Sequence, residues 1–232
     1  MVGDRDLAPI AALLGDPARA AMLTALAGGQ ALPAGELARR AGIKAATATV
    51  HLRKLIDGGL VRVRAQGRHR YHELAGPEVA TALEALAQLA PAAPVRSLRA
   101  HRAAAGLTEA RTCYDHLAGR RGVELRDRLL DAGALTLLDD RDHRLTDEGT
   151  ELVTALGIDA RRLGSGRRVF ARSCNDWTDR RPHLAGALPA ALTARLLELG
   201  WLSRGTGRGL KVSPDYDRRL DDWLVPRIRA VR

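Results

Sequence analysis

Two short segments of this 232-residue chain carry the same reactive side chains in the same order. Arg111-Thr-Cys113-Tyr-Asp115 matches Arg172-Ser-Cys174-Asn-Asp176, and His116-Leu-Ala-Gly119 matches His183-Leu-Ala-Gly186 after an insertion in the second copy. Thiolates and imidazoles ligate soft and borderline metals, and thiolates are also what oxidants and electrophiles attack. If the copies pack about a pseudo-twofold axis, Cys113, His116, Cys174 and His183 face one site: a redox switch, a soft-metal centre or an electrophile sensor. A duplicated module that inherits one small core cysteine twice gives the same pattern. Tyr114, Trp177 and Trp201 are rare aromatics in a chain that is 3% aromatic, and they either line an effector pocket or fill a core.

A second set of groups is suited to reading DNA. Residues Ala34 to Leu60 parse as a helix, a tight Gly42 turn and a second helix ending at Gly58-Gly59, followed by a basic strand pair. That order places the second helix in a major groove. Ala45, Ala48, Leu52 and Leu55 fall on one stripe of it, while Ala46, Thr47, Val50, Arg53 and Lys54 point the other way. Thr47, Thr49 and Lys54 reach phosphates or base edges, Arg53 suits a bidentate contact to guanine, and Ala46 and Val50 suit thymine methyl groups. Lys44, at the start of the helix, joins this set. His51 lies beside the core stripe, as a packing or phosphate-positioning residue. Leu60–Arg64 and Arg68–His72 form two strands around Ala65-Gln66-Gly67, so that Arg68 and Arg70 project on one side to grip backbone or minor groove.

The elements that position these groups follow from local signals. Apolar residues at helical spacing run from Leu7 to Leu26, broken at Gly15-Asp16-Pro17, where Asp16 is an N-cap and Pro17 the first helical residue. A helix over 77–90 presents Val79, Leu83, Leu86 and Leu89 as one stripe, which closes a homodimer or packs on its own domain. Pro91 and Pro94 mark a linker over 91–98. Beyond it the repeat register continues: Leu129-Leu130 pairs with Leu196-Leu197, Gly133 with Gly200, Leu135 with Leu202, and Leu145-Thr146 with Val212-Ser213. Each copy reads as helix, hairpin, helix. The expected fold is mainly α with small β-hairpin wings: an N-terminal winged helix-turn-helix over 1–98, then a C-terminal tandem of winged-helix-like repeats over 99–164 and 165–232.

Composition sets bounds. The formal net charge of +10 favours an anionic partner. Residues 1–98 hold twelve Lys/Arg and eight Asp/Glu, the remainder 25 and 19, so charge alone does not locate the DNA site. No apolar run approaches a bilayer span, the N-terminus lacks a secretory pattern, and two distant cysteines without a CxxC pattern are expected as reduced thiols in a cytoplasmic protein. The Gly205-Thr-Gly207-Arg-Gly209 loop lacks the strand-before, helix-after context of a dinucleotide fingerprint and reads as a basic hairpin. No GxSxG, HExxH or Walker A motif is present, so no enzyme and no cofactor is expected.

Leu14-Gly-Asp-Pro-Ala-Arg19, Thr47-Ala-Thr-Val-His-Leu-Arg-Lys-Leu55, Gly59-Leu-Val61 and Gly67-Arg-His-Arg-Tyr71 together resemble the ArsR/SmtB family of bacterial transcriptional repressors over about the first ninety residues. The resemblance implies a homodimer that binds palindromic operator DNA and releases it on sensing an effector. The family's Cys-x-Cys position holds Leu32-Pro33-Ala34 here, and helix 77–90 offers only Glu78 and Glu84 as ligands, so metal sensing is not carried over from the family. The expected function is sequence-specific transcriptional regulation, by repression. Its alternatives are an architectural DNA-binding protein without ligand sensing, and a thiol-based redox or soft-metal sensor using Cys113 and Cys174.

Overall fold

A computed structural model describes residues 4–92, 97–166 and 168–224. The chain divides into two compact units, 1–83 and 84–232.

The first unit opens with α1 (Ala8–Leu14) and α2 (Pro17–Leu26). Asp16 accepts a 2.9 Å hydrogen bond from the Arg19 amide and so starts α2, with Pro17 at its first position. Then follow β1 (Leu32–Pro33), α3 (Ala34–Ala41) and α4 (Ala45–Asp57). Gly42 ends α3 with φ +67°, a left-handed conformation cheap only for glycine, and its amide caps the Ala38 and Arg39 carbonyls. The hairpin β2 (Val61–Gln66) and β3 (His69–Leu74) forms a three-stranded antiparallel sheet with β1, in the order β1-β3-β2. Met22, Leu23, Leu26, Leu37, Leu52, Leu55, Val61 and Leu74 form the buried apolar centre.

Helix α5 (Pro77–Leu89) contains the division between the units, after Leu83; residues 93–96 of the expected linker lie outside the described residues.

The second unit continues with α6 (Leu98–Glu109), β4 (Arg111–Cys113), β5 (His116–Ala118), α7 (Arg120–Asp131), β6 (Leu135–Leu137), β7 (His143–Leu145), α8 (Asp147–Ala155) and α9 (Ala160–Gly164). Then come β8 (Arg172–Asn175), β9 (Pro182–Ala185), α10 (Ala187–Glu198), β10 (Leu202–Arg204), β11 (Leu210–Val212) and α11 (Tyr216–Leu224). Each copy is therefore hairpin, helix, hairpin, helix, with one more hairpin than the sequence suggests. His116-Leu117-Ala118 is strand β5.

The two copies exchange contacts. Helix α7 packs on β9 and α10 on β5. The edge of β4 bridges at Arg111 to Gly209 in the last hairpin, and the edge of β8 bridges at Arg172 to Asp142. One apolar core serves both copies, with Leu125, Leu129, Leu188, Leu192 and Leu196 among its members. Trp201 belongs to it, edge-on to Tyr216 and Trp223 at ring separations of 6.4 and 6.5 Å, and so is a core residue and not part of a pocket with Tyr114 and Trp177.

Candidate functional site

In the first unit, α3, Gly42 and α4 form the helix-turn-helix. Ala48, Leu52 and Leu55 are buried, whereas Ala45, expected in the same stripe, is exposed because it is the first residue of α4. Lys44, Ala46, Thr47, Thr49, Val50, Arg53 and Lys54 are all exposed. Val50 is 56% exposed. Thr49 donates to the Ala45 carbonyl at 3.1 Å, and Arg53 lies 3.9 Å from Asp57 across one helical turn.

His51 differs from this set. It is half-buried, with Nδ1 3.6 Å from Asp16 Oδ1 and 3.5 Å from Arg19 Nη1. Arg19 in turn donates to the Leu13 and Ala12 carbonyls at 2.8 Å each. His51 thus ties α4 to the start of α2.

Gln66 pairs with His69, so Gly67 and Arg68 are the two turn residues, with Gly67 at φ +57°. Arg68 therefore sits at the wing tip and does not share a strand face with Arg70. Arg62 is opposite Glu73 and pairs with it at 2.8 Å, while Arg64, opposite Tyr71, is a further exposed cation that the sequence reading passed over. Strand alternation puts Arg64 and Arg70 on opposite faces of the ribbon.

The second unit brings Cys113, His116, Cys174 and His183 together. One ligand atom from each lies within 4.8 Å of all the others. Register explains the grouping: Cys113 is directly opposite His116 in β4–β5, and Cys174 is directly opposite His183 in β8–β9. Directly opposed side chains in an antiparallel ladder lie on the same face, so each hairpin presents one thiol and one imidazole. The hairpin turns differ. Tyr114-Asp115 is a two-residue turn with Tyr114 at φ +60°, while 176–181 is a longer loop that contains the insertion.

The histidine Nε2 atoms face each other at 3.3 Å. Their Nδ1 atoms turn toward carboxylates, His183 at 3.2 Å from Asp176 and His116 at 3.5 Å from Asp115. Both carboxylates are clamped. Arg168 holds Asp115 through two bonds of 2.6 and 2.7 Å; Arg111 holds Asp176 at 3.0 Å, with further bonds from the Gly119 amide at 2.7 Å and the Thr178 amide at 2.9 Å. Against the burial that raises both, these partners hold Asp115 down at about 2 and Asp176 far below the usual carboxylate range.

The thiols differ in environment. The neighbouring Cys113 thiol and, against burial, the two nearby imidazoles hold Cys174 well below the ordinary thiol range, whereas the proximity of Cys174 and burial push Cys113 up. Burial disfavours a charge on His183, but Asp176 and Cys174 outweigh it and raise its pKa. Trp177 stacks under the Arg111 guanidinium, 4.6 Å from its centroid, and Tyr114 lies 6.0 Å from Arg168. Both aromatics thus pack on the arginines that clamp the carboxylates. The Gly205–Gly209 loop is elsewhere in the unit, on a cavity of about 340 Å³ lined also by Arg99, Arg102 and Lys211.

Comparison with known proteins adds the following. Residues 14–64 match a family described as "Helix-turn-helix domain". The chain is 44% identical over 199 residues to "Uncharacterized HTH-type transcriptional regulator YdfF" of Bacillus subtilis (strain 168), covering 86% of this chain and 88% of that protein. Among solved structures, the chain is 27% identical to NolR from Sinorhizobium fredii, with a TM-score of 0.34 over 37% of this chain and 85% of that one. It is 30% identical to the homodimeric winged helix-turn-helix DNA-binding domain Mb0332 from Mycobacterium bovis, with a TM-score of 0.33 over 38% and 88%. Among the described residues, no helix is long and apolar enough to cross a membrane.

Proposed function

The chain belongs to the winged helix-turn-helix transcriptional regulators, and on that premise we propose that it is a homodimeric, operator-specific repressor of the ArsR type whose second unit receives the releasing signal. The observation that carries this reading is the outer face of α4, where Thr47, Val50, Arg53 and Lys54 all stand exposed beside a wing bearing Arg64, Arg68 and Arg70. A helix face that mixes thymine-methyl contacts with guanine and phosphate donors is built to read sequence. A purely architectural protein needs only the cations.

Palindromic operator DNA requires two copies of α4. Leu86 and Leu89, 45% and 83% exposed on α5, supply an apolar strip for a second copy of the chain. The signal-receiving role is assigned to the second unit because it holds a titratable, nucleophilic Cys-His group outside the helix-turn-helix and wing. The protein acts by binding, in the cytoplasm, and catalyses no reaction.

The test is competition. Labelled promoter DNA from upstream of the protein's own gene is bound, then challenged with random duplex at fixed salt. Preference for the promoter by roughly 10³-fold or more supports a regulator; equal competition supports the architectural alternative.

A further inference from the structure

We propose that Cys113, His116, Cys174 and His183 form a tetrahedral site for one zinc-like divalent cation, shared equally between the two hairpins of the second unit. The distances fit such an ion. Two imidazole nitrogens bound at 2.0–2.1 Å in tetrahedral geometry stand about 3.3–3.4 Å apart, and the two Nε2 atoms are 3.3 Å apart. All four donor atoms lie within 4.8 Å of one another, and two of the four side chains, Cys113 and His183, are essentially removed from solvent.

The outer groups are those of a metal site. Each histidine presents Nε2 inward and turns Nδ1 toward a carboxylate of its own copy, Asp115 or Asp176. Carboxylates placed this way fix the tautomer and make the facing nitrogen more basic. Two lone pairs then converge beside two thiols, an arrangement that a cation relieves.

Charge selects the ion. The ionic groups around the cluster are already paired: Arg111 with Asp176, Arg168 with Asp115, Arg208 with Glu84 and Arg172 with Asp142. Two thiolates and two neutral imidazoles therefore leave a charge of minus two for the ion to balance. A d¹⁰ divalent cation takes this ligand set without a geometric penalty. Four protein donors, the full set of a tetrahedral structural site, suit it to holding an ion rather than to activating water.

The proposal names the ligand class of the signal-receiving unit and rests on the regulatory reading only for its consequence at the operator. Cobalt(II) is the probe. Full-length protein, reduced and freed of chelator, is titrated with Co(II) in the absence of DNA, so failure of the site and failure of operator recognition are separate results. One equivalent should give the visible bands of tetrahedral cobalt with a thiolate charge-transfer band, and one equivalent of Zn(II) should abolish both. Asp115→Asn should weaken Zn(II) binding about 10–100-fold with unchanged stoichiometry, and Cys174→Ser should weaken it further and diminish the charge-transfer band. Tryptophan emission checks folding, since Trp177, Trp201 and Trp223 all lie in the second unit. Cobalt uptake without the charge-transfer band, or no uptake, overturns the proposal. So does a Cys174→Ser protein with native emission that holds Zn(II) as tightly as its parent.

Discussion

Arg111 and Asp176 form a 3.0 Å ion pair in which neither side chain retains any solvent-exposed surface. They belong to different copies of the repeat, and Arg111 also lies 3.6 Å from the buried Glu84 of α5. Removing one member of such a pair leaves the other charge buried and uncompensated, a loss of about 3–5 kcal/mol. Asp176→Ala should destabilise the second unit by that order, read as an earlier denaturant midpoint in tryptophan emission. An unchanged midpoint would show that the pair is not a structural tie.

On α4 and the wing the roles separate. Arg53→Ala should cost about 1–3 kcal/mol of discrimination between cognate and altered operators. Arg70→Ala should instead weaken binding to all duplexes alike and reduce the salt slope by about one phosphate's worth. Fluorescence anisotropy over a salt series measures both, and equal losses on cognate and random DNA for Arg53→Ala would remove it from the base-reading set.

Replacing Leu86 and Leu89 together by glutamate should give a monomer with weak operator binding, because both lie exposed on α5 and like charges would face each other across a twofold contact. Sedimentation of parent and variant decides this. A parent protein that is monomeric at micromolar concentration would exclude the dimer.

His72 links the winged unit to pH. Burial holds its pKa below the ordinary 6.5, partly opposed by a backbone hydrogen bond at Leu32. Between the folded and unfolded values the unfolded chain binds more protons, so stability is complete above about 6.5 and declines as pH falls through that range. Hydrogen-exchange protection of β2 and β3, corrected for intrinsic rates, should fall accordingly. His72→Leu should flatten the dependence.

What could be read in the sequence was locally encoded. The break at Asp16-Pro17, the Gly42 turn and the outward face of α4 each depend on a few adjacent residues, and the paired cysteines and histidines showed through the repeat itself. The hairpins that unite them did not show. Arg111-Thr-Cys113 is buried at every position, so it lacks the alternation that marks a half-buried strand, and Tyr114-Asp115 lacks the glycine or asparagine usual in a two-residue turn. Arg68 was misplaced because one residue of strand length separates a turn tip from a strand face.

Glycines 119 and 186 mark the correspondence between the two copies in the second unit. Each lies at a positive φ against the carbonyls just ahead of its own first hairpin, Leu107 to Glu109 in one copy and Val169 with Phe170 in the other, where a Cβ would come within 2.7–3.2 Å. This close approach recurs at matching places in the two copies. One copy alone offers one thiol, one imidazole and a strand edge that the other copy bridges. The second unit thus depends on both copies, since each supplies half of the thiol–imidazole group and a bridge for the other's strand edge, and the copies differ by the extra residues between Asp176 and His183.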